Sequence, residues 1–181
     1  MSSQQHIIGS AVYRVYSTGS TNTELLQNME RYGHGAVLTA ACQTAGRGRY
    51  RRSWHSQKGG LYLSILLKHI DPSGTLLPFC LLSALAVVRT LRIHFPAPLF
   101  VKWPNDVYAG NRKLCGILPE AVTRGQDTHG VIGIGMNINN PIPSALHESG
   151  GEHRRSSPAA PATPASFLKA CLASLMGFIR P

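Results

Sequence analysis

The chain has 181 residues, of which 43% are apolar and 14% are charged, and its formal net charge is +10. This length and composition predict one globular domain with a buried core and exclude a disordered chain. The positive charge favours acidic partners, which could be nucleic acids, phosphate-bearing or carboxylate-bearing small molecules, or acidic protein surfaces.

The apolar stretches and the cysteines further restrict the kind of protein that this chain can be. The apolar stretches at 76–88 and 131–138 are too short or too interrupted to span a bilayer. The N-terminal segment lacks the basic start and apolar run of a secretory signal, although its lack of acids leaves organelle targeting open, and the expected location is the cytoplasm. Four widely spaced cysteines, with no CxxC pair and no zinc-type spacing, predict reduced thiols: Cys42, Cys80, Cys115 and Cys171.

The first elements are read from hydrophobic periodicity and turn residues. Val12–Tyr16 is predicted to be a short strand. Thr21-Asn22-Thr23-Glu24 has the pattern of a capping box, in which a threonine oxygen accepts from an early helix amide, and it predicts a helix to about Arg31. Ala36–Cys42 is predicted to be a buried strand that leads into a loop rich in arginine and glycine.

The middle of the chain continues this mixed pattern. Leu61–Leu67 is predicted to be a strand, and Pro78 is placed where a first helical turn tolerates proline, so that a core helix follows. Phe100–Trp103 is a further strand that a proline stops. Gly110-Asn111 predicts the tight turn of a hairpin whose second strand is Leu114–Ala121.

The last strand, Val131–Asn139, alternates apolar residues with glycines and asparagines, which leaves space and hydrogen-bonding groups for something lying on the sheet. Residues 149–165 are rich in Gly, Ser, Pro and Ala and are predicted to be a linker, followed by a C-terminal helix at 166–181. The elements together predict an α+β domain over residues 1–148, with an antiparallel or mixed sheet and helices packed on one face.

The segment Gly46–Trp54 is the strongest chemical signal. Its arginines present planar donor forks suited to carboxylates and phosphates, and Gly46 and Gly48 let the main chain approach a ligand closely. Trp54 offers an apolar face to a ring. The alternative is a basic surface loop that binds nothing in particular.

A second group of candidates follows in Lys102-Trp103-Pro104-Asn105-Asp106 and in Lys113–Leu118. A lysine and an acid around a rigid proline suit ATP handling, with Asp106 near a magnesium ion or supporting an arginine. Taken singly, Asp106 could be a turn residue, and Lys102 and Lys113 could be strand-edge charges. Ser20-Thr21-Asn22 is likewise explained by a helix cap, although a helix N-terminus also offers donors to a polar ligand.

Taken together and in order, these motifs resemble the catalytic domain of biotin protein ligases. The resemblance covers roughly residues 15 to 140, and its specific strings are GRGRxxRxW and KWPND. It implies the class II synthetase-like fold of biotin and lipoate ligases, with activation of biotin by ATP and Mg²⁺ to biotinyl-5'-AMP. Transfer to a lysine of a biotin carboxyl carrier domain would follow.

The resemblance also implies roles at matching positions. Lys113 and Arg49 would be catalytic, and Asp106 would support the metal. The biotin-binding residues would be Ser20, Thr21, Asn22, Gln43, Gly46, Arg47, Gly48, Arg49, Lys113 and Gly116. The residues binding ATP or the adenylate would be Arg47, Arg49, Arg52, Trp54, Lys102 and Asn137.

Three alternatives remain beside a biotin ligase. A lipoate or octanoate ligase uses related chemistry, but GRGRxxRxW argues against it. A truncated module that binds biotin without transferring it is motivated by the lack of room after Ile179 for the usual small C-terminal β domain. A nucleic-acid-binding protein explains the charge but not KWPND, so we expect neither nucleic acid nor membrane as a partner; a homodimer is possible.

Overall fold

The computed structural model describes residues 8–71, 76–94, 98–141 and 164–179. Seven strands form one mixed sheet in the order β1-β2-β3-β7-β6-β5-β4. Strands β1 and β2 run parallel, and every other neighbouring pair is antiparallel. The strands are β1 Val12–Thr18, β2 Val37–Gln43, β3 Leu61–Leu67, β4 Leu99–Lys102, β5 Asp106–Ala109, β6 Arg112–Arg124 and β7 Asp127–Met136.

Three α-helices accompany the sheet: α1 Thr21–Gln27, α2 Leu76–His94 and α3 Pro164–Ile179. Helices α2 and α3 pack on each other and on one face of the sheet. The core there contains one side of β3, with Leu61, Leu63, Ile65 and Leu67, together with residues of both helices. The predicted α+β class with a mixed sheet is therefore confirmed.

Helix α1 lies on the opposite face, against β2, β3 and β7. Its Leu25 and the following Met29 form a second, smaller core with Leu38, Leu66 and Val131. The expectation that all helices share one face is therefore wrong. Every residue of β3 is buried because the sheet is covered on both sides at this strand.

Helix α2 contains an eighteen-residue stretch, Leu76–Ile93, with a mean hydropathy of 1.8, so it could cross a membrane by length and composition. The sequence argument that this stretch is too short does not hold. The helix packs instead as a core element, since Cys80, Ala84, Val87 and Leu91 on its inner side are buried in the main core.

Two predicted helix ends differ from those observed. The cap of α1 is Ser20, whose side chain accepts from the main-chain N–H of Thr23, so the expected threonine cap is wrong. The helix ends at Gln27, and a separate 3₁₀ turn at Met29–Arg31 completes the predicted span. The predicted linker at 149–165 lies outside the described residues up to position 163.

Candidate active site

An open cleft lies on the sheet face that carries α1, and three strand glycines form its floor. A Cβ at Gly135 would lie 2.6 Å from Nε1 of Trp54, and one at Gly116 would lie 3.0 Å from the same ring. A Cβ at Gly133 would overlap the Asn22 amide. The predicted space above the glycine face therefore exists, but side chains of this chain, Trp54 and Asn22, fill part of it.

The N-terminus of α1 supplies the neutral polar end of the cleft. The side-chain oxygen Oε1 of Gln43 accepts from the main-chain N–H of Thr21 at 2.8 Å, and its Nε2 donates to Ser56 at 2.7 Å. The Ser64 hydroxyl lies 2.7 Å from the Thr21 hydroxyl and 2.5 Å from Oδ1 of Asn22. These groups are buried or half-buried, so they are held in place before any ligand arrives.

The basic segment is a small hairpin. The main-chain N–H of Trp54 donates to the Gly46 carbonyl at 2.8 Å, and that of Gly48 donates to the Arg52 carbonyl at 2.7 Å. Its tip places Tyr50 and Arg51 in the left-handed region, at φ 56° and 59°. The tight tip turns successive arginines in different directions.

Each loop arginine has a different environment. Arg47 pairs with Glu120 at 2.8 Å. Arg49 donates to Oδ1 of Asn105 at 3.0 Å and to the Tyr50 hydroxyl at 3.0 Å. Arg51 is exposed and does not line the cleft. The loop therefore presents two anchored arginines, Arg47 and Arg49, to the cleft and Arg51 to solvent. The fourth arginine, Arg52, is exposed and also lines the cleft.

A β-bulge brings Lys113 onto the cleft face. Val107 pairs with Cys115 and the next residue, Tyr108, pairs with Lys113, so that Leu114 is an extra residue on β6. In a regular strand, Lys113 and Gly116 would point to opposite faces, because they are three residues apart and strand side chains alternate; the bulge brings them to the same face.

The ammonium Nζ of Lys113 lies 2.6 Å from Oδ2 of Asp106, and both side chains are more than four-fifths buried. The same ammonium lies 5.4 Å from the centroid of the Trp54 ring. The second oxygen of Asp106, Oδ1, is buried without a hydrogen-bond partner, and so is Nε1 of Trp54. Two residues of the cleft lining thus carry one acceptor and one donor without partners in the chain.

Twelve of the predicted site residues line this one cleft. They are Ser20, Thr21, Asn22, Gln43, Arg47, Gly48, Arg49, Arg52, Trp54, Asp106, Lys113 and Gly116. Among the described residues that line it, four are cationic and one is acidic. The cleft is therefore suited to an anionic ligand at its open, basic side and to a neutral polar group at its α1 side.

Three predicted residues do not line the cleft. The Lys102 side chain is exposed and lies over the Tyr108 ring at 5.2 Å. Gly46 is buried at the base of the hairpin. Asn137 holds the bulge: its main-chain N–H donates to the Leu114 carbonyl at 2.8 Å, and its Nδ2 donates to the Lys113 carbonyl at 3.3 Å.

Sequence reasoning missed several side chains that complete the site. Asn105 holds Arg49, Ser64 and Ser56 bond to the amides at the α1 end, and Glu120 holds Arg47 and Asn22. The alternation of β6 could have indicated Glu120, because it lies two and four residues after the cleft residues Leu118 and Gly116.

The cysteines near the cleft are poor nucleophiles. All four thiols are free, as expected. Burial raises the pKa of Cys80 to about 11 and raises that of Cys115 well above its usual range. These raised pKa values keep both thiols protonated near neutral pH, where a thiol is a weak nucleophile.

Within the described ranges 8–71, 76–94, 98–141 and 164–179, no three His, Cys, Asp or Glu side chains gather around one point as ligands for a metal ion. Asp106 alone offers a buried carboxylate oxygen without a partner. A single carboxylate fits a Mg²⁺ ion that arrives with nucleotide phosphates, since this ion is commonly held by one or two carboxylates and by phosphate oxygens.

Fold and site together define a mixed-sheet protein with an open, glycine-floored cleft that four cations line. The sequence matches the biotin/lipoate A/B protein ligase family over residues 13–137, and the chain belongs to this family. The predicted class II synthetase-like fold of biotin and lipoate ligases is thereby confirmed.

Individual relatives agree with this assignment. The chain is 38% identical, over 75% of its length, to the bifunctional ligase/repressor BirA of Bacillus spizizenii, and covers 41% of that protein. It is 37% identical, over 68% of its length, to the biotin–[acetyl-CoA-carboxylase] ligase of Mycobacterium tuberculosis, and covers 48% of it. The chain thus spans less than half the length of these curated relatives.

A solved structure extends the likeness to most of the chain. The biotin protein ligase from Aquifex aeolicus, in complex with biotin and ATP, superposes with a TM-score of 0.73 and 28% identity. The match covers 93% of this chain and 69% of the Aquifex chain.

Proposed function

We propose that the chain activates biotin with ATP to biotinyl-5'-AMP and passes biotin to a lysine of a biotin carboxyl carrier domain. One observation carries this proposal: a single cleft joins a neutral amide-and-hydroxyl end to a cluster of four cations. Biotin has the matching polarity, with a neutral ureido head and a carboxylate tail, and ATP supplies the polyphosphate. The relatives named above support the same assignment.

The α1 end would hold the biotin head. Ser20, Thr21, Asn22 and Gln43 offer donors and acceptors that a ureido ring can use. The main chain near Gly116 approaches closely because the residue has no side chain. A lipoyl group would bring an apolar dithiolane ring here and leave these buried polar groups without a ligand partner, which favours biotin over lipoate.

The cationic side would bring the biotin carboxylate to the α-phosphate. The carboxylate oxygen attacks this phosphorus, the bond to the β-phosphate bridging oxygen breaks, and pyrophosphate leaves. Lys113 and Arg49 would stabilise the charge of the transition state, with Arg47 and Arg52 along the phosphates. Trp54 would offer its ring to the adenine. Lys102 and Asn137 lie outside the cleft lining, and Asn137 would act by holding the bulge at Lys113.

Magnesium would enter with ATP, and Asp106 is the residue that would contact it. The ion, when bound, neutralises phosphate charge. Asp106 also holds Lys113 in place. One oxygen of the carboxylate therefore positions the ammonium of Lys113, and the other oxygen would contact the magnesium ion.

The acceptor in the proposed reaction is the lysine of a carrier domain of a biotin-dependent carboxylase. Its amine attacks the carbonyl carbon of the mixed anhydride, AMP leaves, and an amide bond forms. We propose a cytoplasmic, reducing location, which the four free cysteines favour. A homodimer stays a prediction.

The proposal is tested by incubating the protein with biotin, ATP and Mg²⁺ and measuring pyrophosphate release and biotin transfer to a purified carrier domain. We expect both, and no pyrophosphate when lipoate or octanoate replaces biotin. Release without transfer would favour a module that forms or holds the adenylate only. No pyrophosphate with any of the three acids would overturn the proposed enzyme activity.

A further inference from the structure

Glu120 lies at the rim of the cleft, on β6, outside the residues that the sequence pointed to. One of its oxygens, Oε2, accepts from Nδ2 of Asn22 at 2.7 Å and from a guanidinium nitrogen of Arg47 at 2.8 Å. Its side chain is about three-quarters buried. A single carboxylate oxygen thus joins helix α1, strand β6 and the basic hairpin.

This contact fixes the orientation of the Asn22 amide. An ionised carboxylate only accepts hydrogen bonds, so Nδ2 of Asn22 must face Glu120 and the Leu118 carbonyl, which lies 3.2 Å from it. The oxygen Oδ1 then faces the Ser64 hydroxyl. Because a hydroxyl has one hydrogen, Ser64 donates it to Asn22 and cannot also donate to the Thr21 hydroxyl, which itself lies 3.1 Å from Oε1 of Gln43.

The hydrogen bonds at the Gln43 end of the network also have a fixed donor and acceptor. The main-chain N–H of Thr21 donates to Oε1 of Gln43, so Nε2 of Gln43 must donate to Ser56. The Ser56 hydroxyl in turn donates to the Trp54 carbonyl at 3.1 Å. The donors and acceptors are therefore fixed in direction from Glu120 to Ser64 and from Gln43 to Trp54, while the Thr21 hydroxyl between them can donate to Ser64 or to Gln43.

We propose that Glu120 is a positioning residue for biotin recognition, because it sets the hydrogen-bond direction at the α1 end through Asn22 and anchors Arg47 to the sheet. The inference rests on the proposed function. It makes one oxygen responsible for both the recognition of the neutral head and the placement of a cation. No contact of Glu120 with the reacting atoms is required.

Glu120→Gln tests this inference with little change in size. Glutamine keeps an oxygen that can accept from both partners, but this oxygen is neutral, so both hydrogen bonds lose a charged acceptor. We expect the dissociation constant for biotin alone, measured by calorimetry, to rise about tenfold, the difference between a hydrogen bond to a charged group and one to a neutral group. The matched control is Glu30→Gln, because Glu30 is exposed and pairs with Arg124 at 3.5 Å, at a distance from the cleft.

A double-mutant cycle separates positioning from a general effect on folding. If Glu120 acts on the head through Asn22, Glu120→Gln should have little further effect on biotin affinity in an Asn22→Ala background. Glu120→Asp, which keeps the charge but withdraws it from both partners, is the second variant and should lose similar affinity. Thermal unfolding monitors the fold of each variant.

Two outcomes would overturn the inference alone. The first is a biotin affinity of Glu120→Gln equal to that of the wild type. The second is a double variant whose loss of biotin affinity equals the product of the losses in Glu120→Gln and in Asn22→Ala. A wild-type chain that binds no biotin would overturn the proposed function, and this inference with it. The two outcomes for the variants require a wild-type chain that binds biotin, whereas failure of the proposed function is a wild-type chain that does not. The failure of this inference and the failure of the proposed function are therefore distinguishable.

Discussion

Removing the ammonium of Lys113 should cost both stability and activity. The attraction across the 2.6 Å between Nζ and Oδ2 of Asp106 is about 6 kcal/mol at an effective dielectric constant near 20. Loss of hydration of both groups offsets much of it. Lys113→Met leaves the Asp106 carboxylate mostly buried with neither oxygen paired, so we expect the free energy of unfolding to fall by about 3 kcal/mol.

The double variant Lys113→Met with Asp106→Asn separates the two roles. It removes the unpaired charge, so we expect most of the lost stability to return in urea denaturation. Pyrophosphate release should stay at about 1% of wild type or below in both variants, because a preorganised cation at the transition state is lost. Wild-type stability in Lys113→Met, or restored activity in the double variant, would refute this account of the pair.

Three further predictions concern the cleft. Arg49→Ala should weaken retention of biotinyl-5'-AMP about tenfold or more and Arg51→Ala about twofold or less, because Arg49 lines the cleft and Arg51 does not. Equal losses in equilibrium binding of the adenylate would contradict this. Gly135→Ala should displace the Trp54 ring and shift its fluorescence to longer wavelength, whereas an unchanged spectrum would mean that the ring does not pack there. Iodoacetamide at pH 8 should label Cys42 and spare the three buried thiols, whose pKa values burial raises; mass spectrometry would show any other pattern.

Strand and hairpin positions could be predicted because they depend on local patterns. The turn at Gly110-Asn111 was indicated by its residues, and Gly110 indeed has a φ of +53°. The alternation of Leu61–Leu67 placed that strand at its observed bounds. The family resemblance gathered the site residues, and the cleft contains most of them.

The remaining features depend on tertiary contacts that alternation does not encode. The bulge at Leu114 reverses the face of Lys113, and strict alternation would have separated Lys113 from Gly116. The serine cap of α1 is favoured over the threonine because Thr21 turns its amide and hydroxyl towards Gln43. The strand glycines were read as space for a ligand, and only the folded chain shows that Trp54 uses part of it.

The central claim is tested most directly by looking for the adenylate itself. The protein is incubated with biotin, ATP and Mg²⁺, separated from free nucleotide, denatured, and examined by mass spectrometry for biotinyl-5'-AMP. The account predicts biotinyl-5'-AMP with the wild-type chain and its loss in Lys113→Met with Asp106→Asn, which should remain folded. A folded wild-type chain that binds biotin and ATP yet yields no adenylate would contradict it.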